Sequence, residues 1–189
     1  MKKLVFVCTI NRHRSVIAEF LFKHILEERK NGIAQKIEVS SAGIVTREQK
    51  LDIRKDGVSI SKPLFGYRPM PCVILYMQKA GIDVSEYRSK ALNAKMAKEV
   101  NLIIAMGEGH KKGVLNTYPM AKGKIFTLAE LSHPFQFENI VVEEPPGLMP
   151  TNKFCMLKCD HWSVTATVTG EIKERLEEAI NKIISYIGI

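Results

Sequence analysis

What this chain has little of narrows its identity before any motif is read. No stretch approaches the roughly 20 consecutive apolar residues needed to cross a bilayer, so no membrane partner is expected. Cysteine is scarce: Cys8, Cys72, Cys155 and Cys159 are too few and too unevenly spaced to staple 189 residues, and they read as thiols. There is no Lys/Arg-rich tail and no interleaving of basic with aromatic residues, which removes local support for a nucleic-acid partner. Internal repeats and low-complexity tracts are missing as well. The opening Met1-Lys2-Lys3-Leu4-Val5-Phe6-Val7-Cys8 has the charge-then-apolar order of an export signal, but Asn11, Arg12, His13 and Arg14 end the apolar run too early for one. The expected location is therefore the cytoplasm.

What remains is an ordinary globular composition, 46% hydrophobic and 25% charged, which predicts one domain spanning 1–189. A net charge of +8 suits an anionic partner, although the sign does not choose among nucleic acid, an anionic surface and a phosphorylated substrate. Solvated surface charge explains it equally well.

Hydrophobic periodicity alternates along the chain. Lys3 to Val7 reads as a strand and Ser15 to about Arg29 as a helix, through Ile17, Ala18, Leu21, Phe22, Ile25 and Leu26. Lys36 to Ser41 reads as a second strand. From Ile44 to Pro71 the pattern dissolves, which predicts a long loop or insertion at about 45–70. Helices follow over about Cys72 to Ala80, stopped at Gly81, and over about Asn93 to Val100. Asn101 to Met106 is the most strand-like run, Glu108 to Tyr118 another helix, and Lys124 to Leu128 a fourth strand. Ser132 to Thr169 reads as irregular, including a second insertion at about 148–168, and the last helix as about Glu171 to Tyr186. Such alternation predicts an α/β fold, a parallel sheet with helices on both faces and right-handed crossovers.

In such a sheet, ligands bind at the carboxyl ends of strands beside helix N-termini, which favour anions. The first such place is Cys8-Thr9-Ile10-Asn11-Arg12-His13-Arg14-Ser15, where a cysteine and an arginine bracket five residues just before a helix. That length lets the backbone curl around a tetrahedral oxyanion, with Thr9 to Ser15 as the phosphate-binding residues. Cys8 then faces the phosphorus in surroundings that favour a thiolate nucleophile. Arg14 supplies a planar guanidinium able to hold two oxygens at once, and Ser15 a hydrogen bond to the sulfur. Asn11 tolerates the left-handed backbone of a tight loop. The bland alternative is a buried cysteine at a strand end beside two surface arginines.

Cys8, Asn11, Arg14 and Ser15 carry a resemblance to the low-molecular-weight protein-tyrosine phosphatases, whose loop runs Cys-x-Gly-Asn-x-Cys-Arg-Ser. The likeness continues through Ala18-Glu19, Ser41-Ala42-Gly43, Gly81-Ile82-Asp83-Val84-Ser85, Arg88-Ser89-Lys90 and Asn101-Leu102-Ile103-Ile104-Ala105-Met106. It implies a four-stranded parallel sheet in the order 2-1-3-4 and a phosphocysteine mechanism on phosphotyrosine or aryl phosphates. The implied partner is a phosphorylated protein or a small aryl phosphate, and no metal or organic cofactor is required.

The resemblance also calls for an acid in an Asp-Pro loop late in the chain. Glu144-Pro145 is the better match. A competing register, through Trp162 and the residues after it, puts Ala166 at the acid and leaves Asp160 or His161 to substitute. Two departures stand in the loop itself. Ile10 replaces a glycine, which suggests a different curl, and His13 replaces a second cysteine. Arg12 adds positive charge at the mouth, and Phe65 and Tyr67 are candidates for an aromatic wall, or else pack the insertion onto the core.

Arsenate reductases share this fold, and Cys72, Cys155 or Cys159 could serve such a relay. The cluster Cys155, Cys159, Asp160 and His161 lacks standard zinc spacing, so no metal is expected. A binding module that keeps the cradle without the chemistry is the third reading. The sequence carries no signal of oligomeric state.

Overall fold

The computed structural model describes residues 1–45, 65–132 and 160–189, with residues 160–164 described by backbone alone. Its strands are β1 (Lys2–Cys8), β2 (Ile37–Gly43), β3 (Leu102–Ala105) and β4 (Ile125–Thr127). Its helices are α1 (Arg14–Glu28), α2 (Pro71–Lys79), α3 (Ala94–Glu99), α4 (Glu108–Thr117), α5 (Leu128–Ser132) and α6 (Asp160–Ile187). All strand pairs are parallel and the order is β2-β1-β3-β4, as the sequence reading expected.

β1 runs through the middle of the sheet, and alternate side chains feed two separate cores. Leu4, Phe6 and Cys8 point to one face with Leu102 and Ile104 of β3, where Ile17, Leu21, Phe22, Ile25 and Leu26 of α1 pack together with Leu176, Ile180 and Ile183 of α6. Phe6 and Phe22 meet edge to face with ring centres 5.7 Å apart. Val5 and Val7 point the other way, with Ile103, Ala105 and Val114 of α4. A strand covered on both faces must be apolar throughout, which is why Leu4 to Val7 reads as an unbroken apolar run.

Two helical segments differ from the sequence reading. Lys124 to Leu128 was expected as strand, but β4 ends at Thr127 and α5 begins at Leu128. The cause is a capping box, Thr127-Leu128-Ala129-Glu130. The Glu130 N–H donates to Thr127 Oγ1 at 3.1 Å, and the Thr127 N–H donates back to Glu130 Oε2 at 2.6 Å. The last helix starts at Asp160 and not at Glu171, so the segment 160–168 is helical where the reading had it irregular. Its β-branched run, Val164-Thr165-Ala166-Thr167-Val168-Thr169, argues against helix by propensity. Burial of Thr165, Val168 and Thr169 overrides that preference, and the Thr169 hydroxyl donates to the Thr165 carbonyl at 2.7 Å. Most of the insertion expected at 45–70, and Cys155 and Cys159, lie outside the described residues.

At the carboxyl edge of the sheet, β2 ends against the segment that follows β1. The Ile44 N–H donates to the Cys8 carbonyl at 2.8 Å. A Cβ added to Gly43 would lie 2.5 Å from Phe65 Cε1 and 2.7 Å from the Thr9 carbonyl oxygen. The Phe65 ring could shift, but the Thr9 backbone could not without moving the loop. Gly43→Ala is therefore expected to lower the unfolding free energy by about 1–3 kcal/mol, read from the urea midpoint; an unchanged midpoint would show the two backbones to be less tightly apposed.

Candidate active site

The loop Cys8 to Ser15 leaves the carboxyl end of β1 and enters α1, whose first residue is Arg14. The expected left-handed residue is Asn11, with φ of 56°. Apart from glycines, only Asn11 and Lys30 among the described residues have positive φ, so the β-branched Ile10 escapes that strain. The missing family glycine at position 10 thus imposes no left-handed backbone there.

Asn11 is fully buried, and its amide organises the site. The backbone N–H of Lys90 can only donate, and it lies 2.9 Å from Asn11 Oδ1, which fixes which way the amide faces. The Tyr87 hydroxyl donates to the same oxygen at 2.7 Å. Asn11 Nδ2 must then donate to its two neighbours, Ser15 Oγ and Ser41 Oγ, each at 2.9 Å. Ser15, accepting from Asn11, keeps its own proton for Cys8 Sγ, 3.0 Å away. Ser41 passes its proton to Glu19 Oε2 at 2.7 Å. Burial, chiefly, raises the Tyr87 phenol well above its ordinary value and keeps it a donor.

These partners answer why Glu19, Ser41 and the segment Arg88-Ser89-Lys90 accompany the loop in sequence. Tyr87 was not singled out by the sequence reading, although it lies between two segments that carry the resemblance, Gly81 to Ser85 and Arg88 to Lys90.

Around the loop, Arg14 is 8% exposed and Cys8 3%. Arg14 Nη2 faces His110 Nε2 at 3.5 Å, and Thr9 Oγ1 lies 3.0 Å from the same nitrogen. His110 sits in α4, just beyond the carboxyl end of β3, and sequence reasoning missed it. The only available signal was topological: this position opens onto the same sheet edge as the loop. Burial and then the Arg14 charge push the His110 imidazole down to about 3 from 6.5, so it is neutral. His13 Nε2 reaches Thr165 Oγ1 of α6 at 3.2 Å and ties the loop to the last helix.

At the mouth, Arg12 Nε donates to the Arg68 carbonyl at 2.8 Å, and its guanidinium carbon stands 5.4 Å from the Tyr67 ring centre. Tyr67 is exposed at the mouth, whereas the Phe65 ring lies against Gly43. Glu144 lies outside the described residues. Asp160 and His161 open α6, and Ala166 is half-buried within that helix, not in a loop before it. Among the described residues, no three His, Cys, Asp or Glu side chains gather as a metal would need, and no helix is long and apolar enough to cross a membrane.

A model of the family described as low molecular weight phosphotyrosine protein phosphatase matches residues 3–183. The low molecular weight protein-tyrosine-phosphatase Ptp of Acinetobacter johnsonii is 28% identical over 155 residues, covering 79% of this chain and 92% of that protein. Among solved structures, a low molecular weight protein tyrosine phosphatase from T. tengcongensis is 24% identical with a TM-score of 0.69, covering 96% of this chain and 99% of its own. The YwlE arginine phosphatase from Geobacillus stearothermophilus is 20% identical with a TM-score of 0.66, covering 98% and 94%. At these identities the structural likeness shows the fold alone.

The depressed His110 value carries a pH consequence. The unfolded chain takes up this proton near pH 6.5 while the folded protein resists it to about pH 3. Acidification through that window therefore favours the unfolded state, and the stability lost is regained as pH rises above 6.5. His110→Gln is expected to reduce the proton uptake on unfolding between pH 6.5 and 4 by about one proton, measured from urea curves at a series of pH values. Identical slopes for both proteins would show that His110 titrates normally.

Proposed function

The chain belongs to the low molecular weight phosphotyrosine protein phosphatase family, and on that footing we propose that it hydrolyses aryl phosphate monoesters, phosphotyrosine in proteins above all, by two displacements at Cys8. The observation that carries this reading is the Ser15 hydroxyl, 3.0 Å from Cys8 Sγ and left by the Asn11 amide with its proton for the sulfur. A sulfur at a strand end with a dedicated donor, and a buried arginine beside that donor at a helix start, suit a thiolate that attacks and later departs.

In the first displacement the Cys8 thiolate forms a bond to phosphorus as the bond to the phenolic oxygen breaks. Arg14 and the loop N–H groups of Thr9 to Ser15 hold the equatorial oxygens. Glu144 gives its proton to the departing oxygen, the role argued from Glu144-Pro145 in the sequence. In the second, the Glu144 carboxylate takes a proton from water, which attacks the phosphocysteine. The thiolate leaves against the Ser15 hydroxyl and inorganic phosphate is released. The sequence requires no metal or cofactor for this. Arg12 at the mouth favours an acidic phosphoprotein and opposes a phosphoarginine carrying its own cation. A cytoplasmic location fits such a substrate.

The test uses p-nitrophenyl phosphate, with arsenate as a parallel substrate. Cys8→Ser is expected to abolish turnover. Arg14→Lys should cost about 10²–10³-fold in kcat, and Glu144→Gln about 10²–10⁴-fold. Ser15→Ala should slow the second step, so that p-nitrophenol appears as a burst before the steady rate. An unaltered Glu144→Gln rate would move the acid to Asp160 or His161. Phosphate binding with no turnover of either substrate would overturn the proposal in favour of a binding module.

A further inference from the structure

His110 stands behind the phosphate loop, and its environment is unusual on both sides of the ring. It is 8% exposed, and its Nδ1 is a buried polar atom without a hydrogen-bond partner among the described residues. Such atoms cost about 1–3 kcal/mol and are rare in folded proteins. Its Nε2, in contrast, meets two groups from opposite ends of the loop: Oγ1 of Thr9, the residue after Cys8, at 3.0 Å, and Arg14 Nη2 at 3.5 Å.

The proton can be placed on this ring by elimination. Arg14 has only donors and a full positive charge. At 3.5 Å the contact is long for a hydrogen bond, yet a cation so close requires the lone pair, not an N–H, on the facing nitrogen. Nε2 is then the acceptor, Thr9 donates to it, and the hydrogen sits on the unpartnered Nδ1. The less comfortable tautomer is the one the arginine selects. A carboxylate in the same place would hold Arg14 more tightly, but it would cancel the charge a phosphate needs. A neutral imidazole orients the guanidinium without bringing an opposing charge of its own.

We propose that His110 is a positioning residue, a neutral acceptor that joins Thr9 to Arg14 across the back of the loop and sets the guanidinium for an incoming oxyanion. The inference deepens the proposed function and rests on Arg14 being its phosphate clamp. It names a residue from a helix about 100 positions away from the loop motif, on which no part of the loop signature depends.

Two measurements test it, and tungstate is the probe because its binding does not need turnover. Nitrogen-15 spectra of the histidine rings in the unmodified protein should show His110 protonated at Nδ1 and bare at Nε2. A proton on Nε2 overturns the proposal without any variant. His110→Gln can place an amide oxygen where Nε2 was, whereas His110→Asn reaches only the Nδ1 position. Calorimetry is expected to give a tungstate Kd within about threefold of the original for the glutamine variant, and weaker by about tenfold or more for the asparagine variant. Where p-nitrophenyl phosphate is turned over, the same order should appear in kcat more than in KM. Equal tungstate binding by the original and both variants sinks the His110 role and leaves the phosphatase reading standing. Tight binding with the expected rank order but no hydrolysis by the original protein sinks the phosphatase reading alone. No tungstate binding by the original protein sinks both.

Discussion

Everything at this site depends on one amide being unable to turn over. Asn11 occupies a left-handed bend that few residues accept, and the Lys90 N–H, which can only donate, pins its oxygen. From that single constraint it follows that the amide donates to both Ser15 and Ser41 and that Ser15 keeps its proton for the sulfur. Had the amide been reversed, two donors would face each other at Lys90 and both serines would have to donate into the Asn11 oxygen. Ser15 would then have no hydrogen for the sulfur. A buried network of this kind is favourable only when every member is satisfied, so the loop has one good arrangement.

The same logic explains which parts of the molecule were readable in advance. Strand and helix alternation is written in local periodicity, and Leu4 to Val7 or Ile17 to Leu26 could be placed without knowing what they touch. The loop was legible for the same reason, since Cys8, Arg14 and Ser15 are neighbours in sequence. α5 went unread, because its five residues are shorter than any periodic pattern can reveal and its mark, the pair Thr127 and Glu130, begins inside a run that reads as strand. The first turns of α6 were not legible either, because their threonines and valines favour strand locally and are helical for reasons of burial.

What local pattern cannot carry is the far side of the site. Tyr87 reaches Asn11 across 76 positions, and His110 reaches Thr9 across 101. No spacing rule links them, and only the return of β3 beside β1 brings α4 to the loop. Ile10 shows the converse limit. A departure from the family's glycine suggested a changed curl, but the positive φ belongs to Asn11, one residue on. The substitution lies where the backbone asks nothing special of it.

The hydrogen-bond directions also say how charge is arranged. Asn11 Nδ2 sends one donor through Ser15 toward Cys8 and another through Ser41 toward Glu19. Each arm of the chain of donors therefore ends on an acceptor, a sulfur at one end and a carboxylate at the other. Glu19 is balanced by Lys23, one turn along α1. At the other end of the loop, Arg14 faces a neutral imidazole. The two side chains are held differently: the Glu19 carboxylate meets a lysine of its own helix, while Arg14 Nη2 meets a neutral ring from α4. One amide thus fixes Cys8 and Glu19 together, whereas Arg14 is oriented separately, through His110 and the Thr9 hydroxyl that shares its nitrogen.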